Sequence, residues 1–194
     1  MIIFLIPFYY LTSKIAAEKE SKAREGMKMM GLTDDTYYLS WFILFFMIVF
    51  ITSLIITVMC AIGVFKMINM WLFFFFCMTY SLTLFGWAFC IVAFLPTKSS
   101  SGIAATLFHI ISYYMVFIIA DPSTPSKVQY AMSILPNVCM AQLVKQIFFY
   151  NLNTGSGLTW STMSIQYQNY SFKGGLLIML ANAVVYTVLG LYLD

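Results

Sequence analysis

Four long apolar runs, separated by polar breaks, set the pattern of this chain. Residues 39–65, LSWFILFFMIVFITSLIITVMCAIGVF, contain no charged side chain. Residues 70–95, MWLFFFFCMTYSLTLFGWAFCIVAFL, repeat that character after the short KMIN tract at 66–69. A third run covers 102–120 and a fourth 174–193, GGLLIMLANAVVYTVLGLYL. The hydrocarbon core of a bilayer is about 30 Å thick and a helix rises about 1.5 Å per residue, so about 20 apolar residues cross it. Each run therefore predicts a transmembrane helix. Residues 1–12, MIIFLIPFYYLT, are apolar but too short to span, and lack the basic flank and small-x-small site of a signal peptide. They read as the exit end of a span that begins outside this chain.

The polar segments carry different signals. Residues 14–31, KIAAEKESKAREGMKMMG, form the one charge-dense stretch. Ala16, Ala23, Met27 and Met30 recur at helical spacing, which predicts one apolar face. Glu18 with Lys22, and Glu20 with Arg24, are i,i+4 pairs in the favourable order, each worth about 0.2–0.5 kcal/mol. Gly31 follows as a C-terminal stop. An amphipathic helix and turn over 14–36, lying at the membrane surface, is the expectation. Asp34 and Asp35 then sit where the start of the next helix favours negative charge. Trp41 and Trp71 lie near span ends, as membrane-interface aromatics do.

Between 121 and 173 the apolar pattern breaks up. DPSTPSK is turn-rich, and Pro136, Asn137, Gln142 and Lys145 interrupt the apolar tract that follows. A re-entrant hairpin over about 129–150, shielded by neighbouring helices, accommodates such a tract better than a lipid-facing crossing. Residues 151–173 are polar, aromatic and Gly/Ser-rich, which places them in water.

Composition supports the membrane reading. Of 194 residues, 62% are hydrophobic and 9% charged. Soluble domains carry about 45–50% and about 25%. A net charge of +3, without a basic patch interleaved with stacking aromatics, gives no footprint for nucleic acid. The side bearing most short-range positive charge is expected to be cytosolic. Lys14, Lys19, Lys22, Arg24 and Lys28 fall in the 14–31 segment, and Lys98 emerges on the same side two spans later. Lys66, Lys127, Lys145 and Lys173 are dispersed on the other side. The 121–173 segment is then external or luminal, which is where the sequon Asn169-Tyr170-Ser171 makes Asn169 a candidate for N-glycosylation.

Few residues suggest chemistry. His109 is the single histidine, centred in the third run, and a polar residue at that depth is a candidate functional site. Its ordinary alternative is a neutral imidazole bonded to Ser or Tyr of a neighbouring helix. With no carboxylate inside the runs, a metal site or a proton relay has no partner groups. No nucleophile–base set can be assembled either. Cys60, Cys77, Cys90 and Cys139 read as small buried hydrophobes. The chain has no G-x-x-x-x-G-K-[ST] loop, so ATP hydrolysis through that machinery would come from a partner domain.

The string EKESKAREGMKMMGLTDDTYYLSWF resembles the cytosolic helix and following span of subfamily A ABC transporters, the eukaryotic lipid exporters. Glu18, Lys19, Glu20, Lys22, Glu25, Met27, Lys28, Met30, Gly31, Leu32, Leu39, Ser40, Trp41 and Phe42 fit that pattern, and the spans behind it follow the order of spans three to six of one half. PTKSSSGIAA departs from the usual form of its turn. The resemblance implies an all-α integral membrane bundle of the ABC-2 exporter type. Its coupling helix would carry Glu18, Lys19, Glu20, Lys22, Arg24, Glu25, Met27, Lys28, Met30 and Gly31. It also implies ATP and Mg bound by a nucleotide-binding domain outside this chain, a second membrane half as partner, and lipid as cargo in a plasma or endolysosomal membrane. Phe73–Phe76 would contact acyl tails. The competing expectation is a non-transporting membrane scaffold or a small channel-like protein.

Overall fold

The computed structural model describes residues 2–63, 68–95, 97–119, 124–154 and 157–193. The described helices are α1 (Ile2–Glu20), α2 (Ala23–Met29), α3 (Asp34–Gly63), α4 (Met70–Phe94), α5 (Lys98–Ile119), α6 (Ser126–Met132), α7 (Pro136–Thr154) and α8 (Phe172–Leu193). A short antiparallel ribbon, β1 (Gln166–Tyr167) and β2 (Tyr170–Ser171), precedes α8. Helices α3, α4, α5 and α8 are long and apolar enough to cross a membrane, and they carry the four apolar runs. Lys66, Pro96 and Asp121, expected in turns, lie outside the described residues, as do 64, 65 and 120 at the ends of two runs.

Helix ends reach beyond the apolar runs. α3 begins at Asp34 rather than 39, and α5 at Lys98 rather than 102. Polar side chains at a membrane–water boundary are as compatible with helix as apolar ones, so hydropathy marks the hydrocarbon and not the helix. At the start of α4, Asn69 Oδ1 accepts from the backbone N–H groups of Trp71 (3.1 Å) and Leu72 (3.4 Å), satisfying donors the first turn leaves open.

The core is organised around α4. In its most apolar 18-residue stretch 83% of residues are buried, against 22% in α3, 22% in α5 and 28% in α8. α4 and α8 approach closely because glycines face backbone across the interface. A Cβ on Gly86 would lie 2.5 Å from Thr187 N, and one on Gly190 2.6 Å from Phe89 Cβ. Without Cβ atoms there, backbones come near enough for dispersion contact, the usual basis of helix association in lipid. On its other faces α4 meets Phe4 of α1, edge to face with Tyr80 at 5.2 Å, and Phe45 of α3, 5.4 Å from Phe85. Phe73 and Phe76 are core residues, Phe74 is half-buried, and Phe75 is exposed. The Phe run expected on the acyl chains thus turns mainly inward.

α6 and α7 form a helical hairpin over 126–154 whose tip is tied to the middle of the bundle. Asn182 Nδ2 donates to the carbonyls of Ser133 (2.9 Å) and Ile134 (3.0 Å), and Tyr186 Oη donates to Ile134 O at 2.7 Å. Asn182 stands about 15 Å along α8 from its first residue, at a rise of about 1.5 Å per residue. Side-chain amides therefore satisfy carbonyls that an unpaired turn would leave open at that depth.

Candidate functional site

The charged 14–31 segment folds as an elbow and not as one rod. α1 runs unbroken from Ile2 through Glu20, so residues 2–12 and the start of the charged stretch share one helix. The chain then turns at Lys22, a left-handed residue (φ 54°), before α2 starts at Ala23. Ser21 Oγ donates to the carbonyl of Glu18 at 3.3 Å, an alternative to the helical ladder at the break. α2 ends at Met29, and Gly31 closes the turn beyond it as expected, its φ of 96° suiting glycine. Gly31 N–H bonds Lys28 O (3.0 Å) and Leu32 N–H bonds Met27 O (3.1 Å), the paired closure of a Schellman motif.

The break divides the expected apolar face. Ala16 is fully buried in α1, whereas Ala23 is exposed and Met27 half-buried. Met29 and Met30 are 87% and 82% exposed, and α2 buries no residue.

Among the described contacts, Glu18, Glu20 and Arg24 reach across the fold to other helices rather than along their own. Glu18 Oε2 accepts from Tyr37 Oη at 2.9 Å and from Trp41 Nε1 at 3.2 Å, both on the first turns of α3. Glu20 Oε2 accepts from the backbone N–H of Lys98 at 2.9 Å, placing a carboxylate on the first residue of α5. A helix start carries open N–H donors and a partial positive charge, so this contact is favourable twice over. Arg24 bonds Asp34 Oδ1 at 2.9 Å and Tyr38 Oη at 2.7 Å, and its guanidinium lies 5.1 and 4.9 Å from the Tyr37 and Tyr38 ring centroids. Lys28 also pairs with Asp34, at 2.7 Å. Asp34 precedes the apolar stretch that starts at Leu39, and its carboxyl is held below the ordinary range by the hydrogen bond from Lys28 first and that from Arg24 next. Glu18, Met27, Leu32, Tyr37, Trp41 and Leu44 line a cleft of about 360 Å³ in the angle of the elbow.

Of the ten residues expected to couple, Glu18, Glu20, Arg24 and Lys28 reach other elements, and Gly31 shapes the turn. Lys22 supplies the bend, and Glu25 is exposed beside Met29 and Met30. Their partners Tyr37, Tyr38 and Lys98 carried no sequence signal of the role. Pairing at separations of 14 to 78 residues is invisible to local periodicity.

His109 is 4% exposed, with its ring 5.7 Å from that of Phe8. The polar work beside it falls to Asn137. Its Oδ1 accepts from Tyr80 Oη (2.5 Å), and its Nδ2 donates to His109 O (2.9 Å) and Ser112 Oγ (2.6 Å). This side chain joins α4, α5 and α7 at one level, and its signal was a polar residue inside an apolar tract.

Asn169 is exposed on the ribbon turn, with left-handed φ at Gln168 (50°) and Asn169 (63°), as a two-residue type I′ turn needs. The sequon hydroxyl is engaged: Ser171 Oγ accepts from Gly174 N–H at 3.1 Å, capping α8, and lies 3.1 Å from Tyr130 Oη. No group of three His, Cys, Asp or Glu that could hold a metal occurs among the described residues.

Comparison with known proteins agrees with this architecture. A family model described as ABC-2 family transporter protein matches residues 1–192. The chain is 25% identical over 201 residues to ATP-binding cassette sub-family A member 17 of Rattus norvegicus, covering 100% of this chain and 11% of that protein. It is 35% identical over 119 residues to ABC transporter A family member 1 of Dictyostelium discoideum, covering 58% of this chain and 13% of that one. A 59-residue stretch, 30% of this chain and 4% of the relative, is 42% identical to the cholesterol transporter ABCA5 of Homo sapiens. The chain thus spans about one ninth of the length of the first of these relatives.

Proposed function

The chain belongs to the ABC-2 transporter family, and from that premise we propose that it forms part of the membrane domain of a subfamily A lipid transporter, driven by a nucleotide-binding domain elsewhere in the intact protein. That domain would bind ATP with Mg, and a second membrane half would complete the path. One relative is a cholesterol transporter by name, which supports a lipid cargo.

The observation that carries the reading is the pair of carboxylates on α1. Glu18 holds the start of α3 and Glu20 the start of α5, so a push on the elbow reaches two spans at once. The exposed Met29 and Met30 give α2 an adaptable apolar tip for the motor domain, since methionine packs against irregular surfaces. In this reading the elbow, the start of α5 and the end of α8 face the cytosol, in line with the positive charge of the elbow. The 157–171 segment is then external, with Asn169 open to glycosylation. The α6–α7 hairpin re-enters the membrane from outside, consistent with a tip bonded to mid-α8.

Charge reversal tests the coupling in the full-length transporter reconstituted in liposomes. Glu18→Lys and Glu20→Lys are expected to lower lipid moved per ATP hydrolysed about tenfold, while Lys127→Glu, at an exposed site on α6, leaves it unchanged. About 1.4 kcal/mol corresponds to that factor, within the range of one lost hydrogen bond to a charged group. Unaltered flux per ATP in both reversals rules out the coupling role.

A further inference from the structure

The cleft in the angle of the elbow, about 360 Å³, joins three elements: Glu18 from α1, Met27 from α2, and Tyr37, Trp41 and Leu44 from α3. Among its described lining residues Glu18 alone carries charge. The other walls are aromatic or aliphatic apart from Ser40, whose hydroxyl donates to Thr36 O at 2.7 Å. Tyr37 Oη and Trp41 Nε1 donate to the same oxygen, Glu18 Oε2, at 2.9 and 3.2 Å. The indole N–H lies in the plane of its ring, so this bond does not use the Trp41 face. Glu18 also sits in the last turn of α1, where the open carbonyls of a helix end add partial negative charge. Arg24 and Lys28 are not among the lining residues, and both pair with Asp34. Leu44 is exposed and stands about 15 Å along α3 from Asp34 at a rise of about 1.5 Å per residue, within the apolar run that starts at Leu39. The cleft thus reaches from the charged elbow to the level of the hydrocarbon.

We propose that this cleft binds the choline head group of a membrane lipid, its quaternary ammonium held by Glu18 and the Trp41 and Tyr37 rings and its glycerol end toward Leu44. The inference goes beyond the lipid-transport reading, because this lipid is held at the elbow and not carried. A quaternary ammonium has a diffuse charge and no N–H, so a carboxylate and aromatic faces suffice to hold it in a poorly hydrated cleft. An ethanolamine ammonium brings three N–H donors, and walls of Leu, Met and ring carbon offer them few acceptors beyond Glu18. A head group with no cation meets only repulsion from the carboxylate. Because the cleft is lined from α1, α2 and the start of α3, a head group seated there would brace the angle of the elbow.

The test uses the full-length transporter in phosphatidylglycerol nanodiscs with trace phosphatidylcholine, phosphatidylethanolamine or phosphatidylglycerol, each photoactivatable at the glycerol backbone. Cross-links within 27–44 are mapped by mass spectrometry. Wild type is expected to label there about tenfold more with phosphatidylcholine than with either other probe, a factor within reach of a desolvated cation–π contact beside a carboxylate. Glu18→Gln should remove that preference. Trp41→Leu should weaken it, whereas Trp41→Phe, which keeps a ring face and loses the N–H, should retain it. Unchanged cross-linking of 174–193 checks that each variant has folded, and the wild-type comparison needs no variant. Equal labelling by the three probes in wild type overturns the proposal, as does a choline preference that survives Glu18→Gln. So does an unlabelled cleft in wild type, which would mean that another segment of the transporter fills it. ATP-driven lipid movement is measured on the same preparations. Movement without choline-selective labelling removes the site and leaves the transport reading, whereas selective labelling without movement does the reverse.

Discussion

Helices α3 and α4 are neighbours of similar composition with opposite fates. In α3, Ile51, Ile55, Val58, Met59 and Ile62 face outward, and the buried positions are a narrow stripe of Tyr37, Phe45, Val49, Ser53 and Thr57. α4 is the most buried of the four spans, and it carries Thr79, Ser81, Thr83 and Gly86 inward. In water burial follows hydrophobicity, and inward hydroxyls would be disfavoured. In lipid the surroundings are already apolar, so what distinguishes an interior helix is small residues that allow close approach and hydroxyls that bond within the bundle. Thr83 shows the second effect, its Oγ1 donating to Thr79 O at 2.9 Å and lying 3.2 Å from Met179 O on α8.

The contrast can be broken most severely at the α4–α8 contact. Gly86→Leu places side-chain carbons where Thr187 backbone already lies, and the helices must separate. About 3 kcal/mol of destabilisation is expected, read as an earlier midpoint in a detergent unfolding titration. A smaller loss follows removal of the polar junction. Asn137→Leu leaves Tyr80 Oη and the His109 carbonyl without their amide partner, for about 1–2 kcal/mol in the same assay and faster hydrogen exchange in α7. An unshifted midpoint there would show that the junction adds nothing to α4's place at the centre. The smallest effect belongs to the outer face of α3. Ile55→Ala should stay within about 0.5 kcal/mol of wild type, as surface substitutions usually do. A loss comparable with that of Gly86→Leu would mean that this face packs against protein and not lipid.

Much of the architecture was legible in advance because its cause is local. The four spans followed from run length, and Gly31 as a stop followed from its place after the last periodic residue. Pro136 and Asn137 within an apolar tract marked a break in the expected hairpin over about 129–150, and α7 begins at Pro136. The elbow was misjudged as one rod because Ala16, Ala23, Met27 and Met30 keep helical spacing across Lys22, and periodicity does not register one left-handed residue. The carboxylates were matched to the nearest cations, whereas the fold brings them donors from distant elements in Tyr37, Trp41 and the open N–H of Lys98. Phe73 and Phe76 were placed outward because aromatic side chains suit both lipid and core, and hydropathy alone does not distinguish the two.

The amino-acid order alone decided how many times an apolar segment recurs, where charge collects and where helices stop. Those properties depend on the thickness of a bilayer and on residues adjacent in the chain. Which span sits at the centre, where Glu18 and Glu20 find partners, and how deeply the hairpin tip is held were decided by tertiary structure. Each of these depends on groups far apart in sequence meeting within hydrogen-bond or van der Waals distance, and such meetings leave no periodic trace.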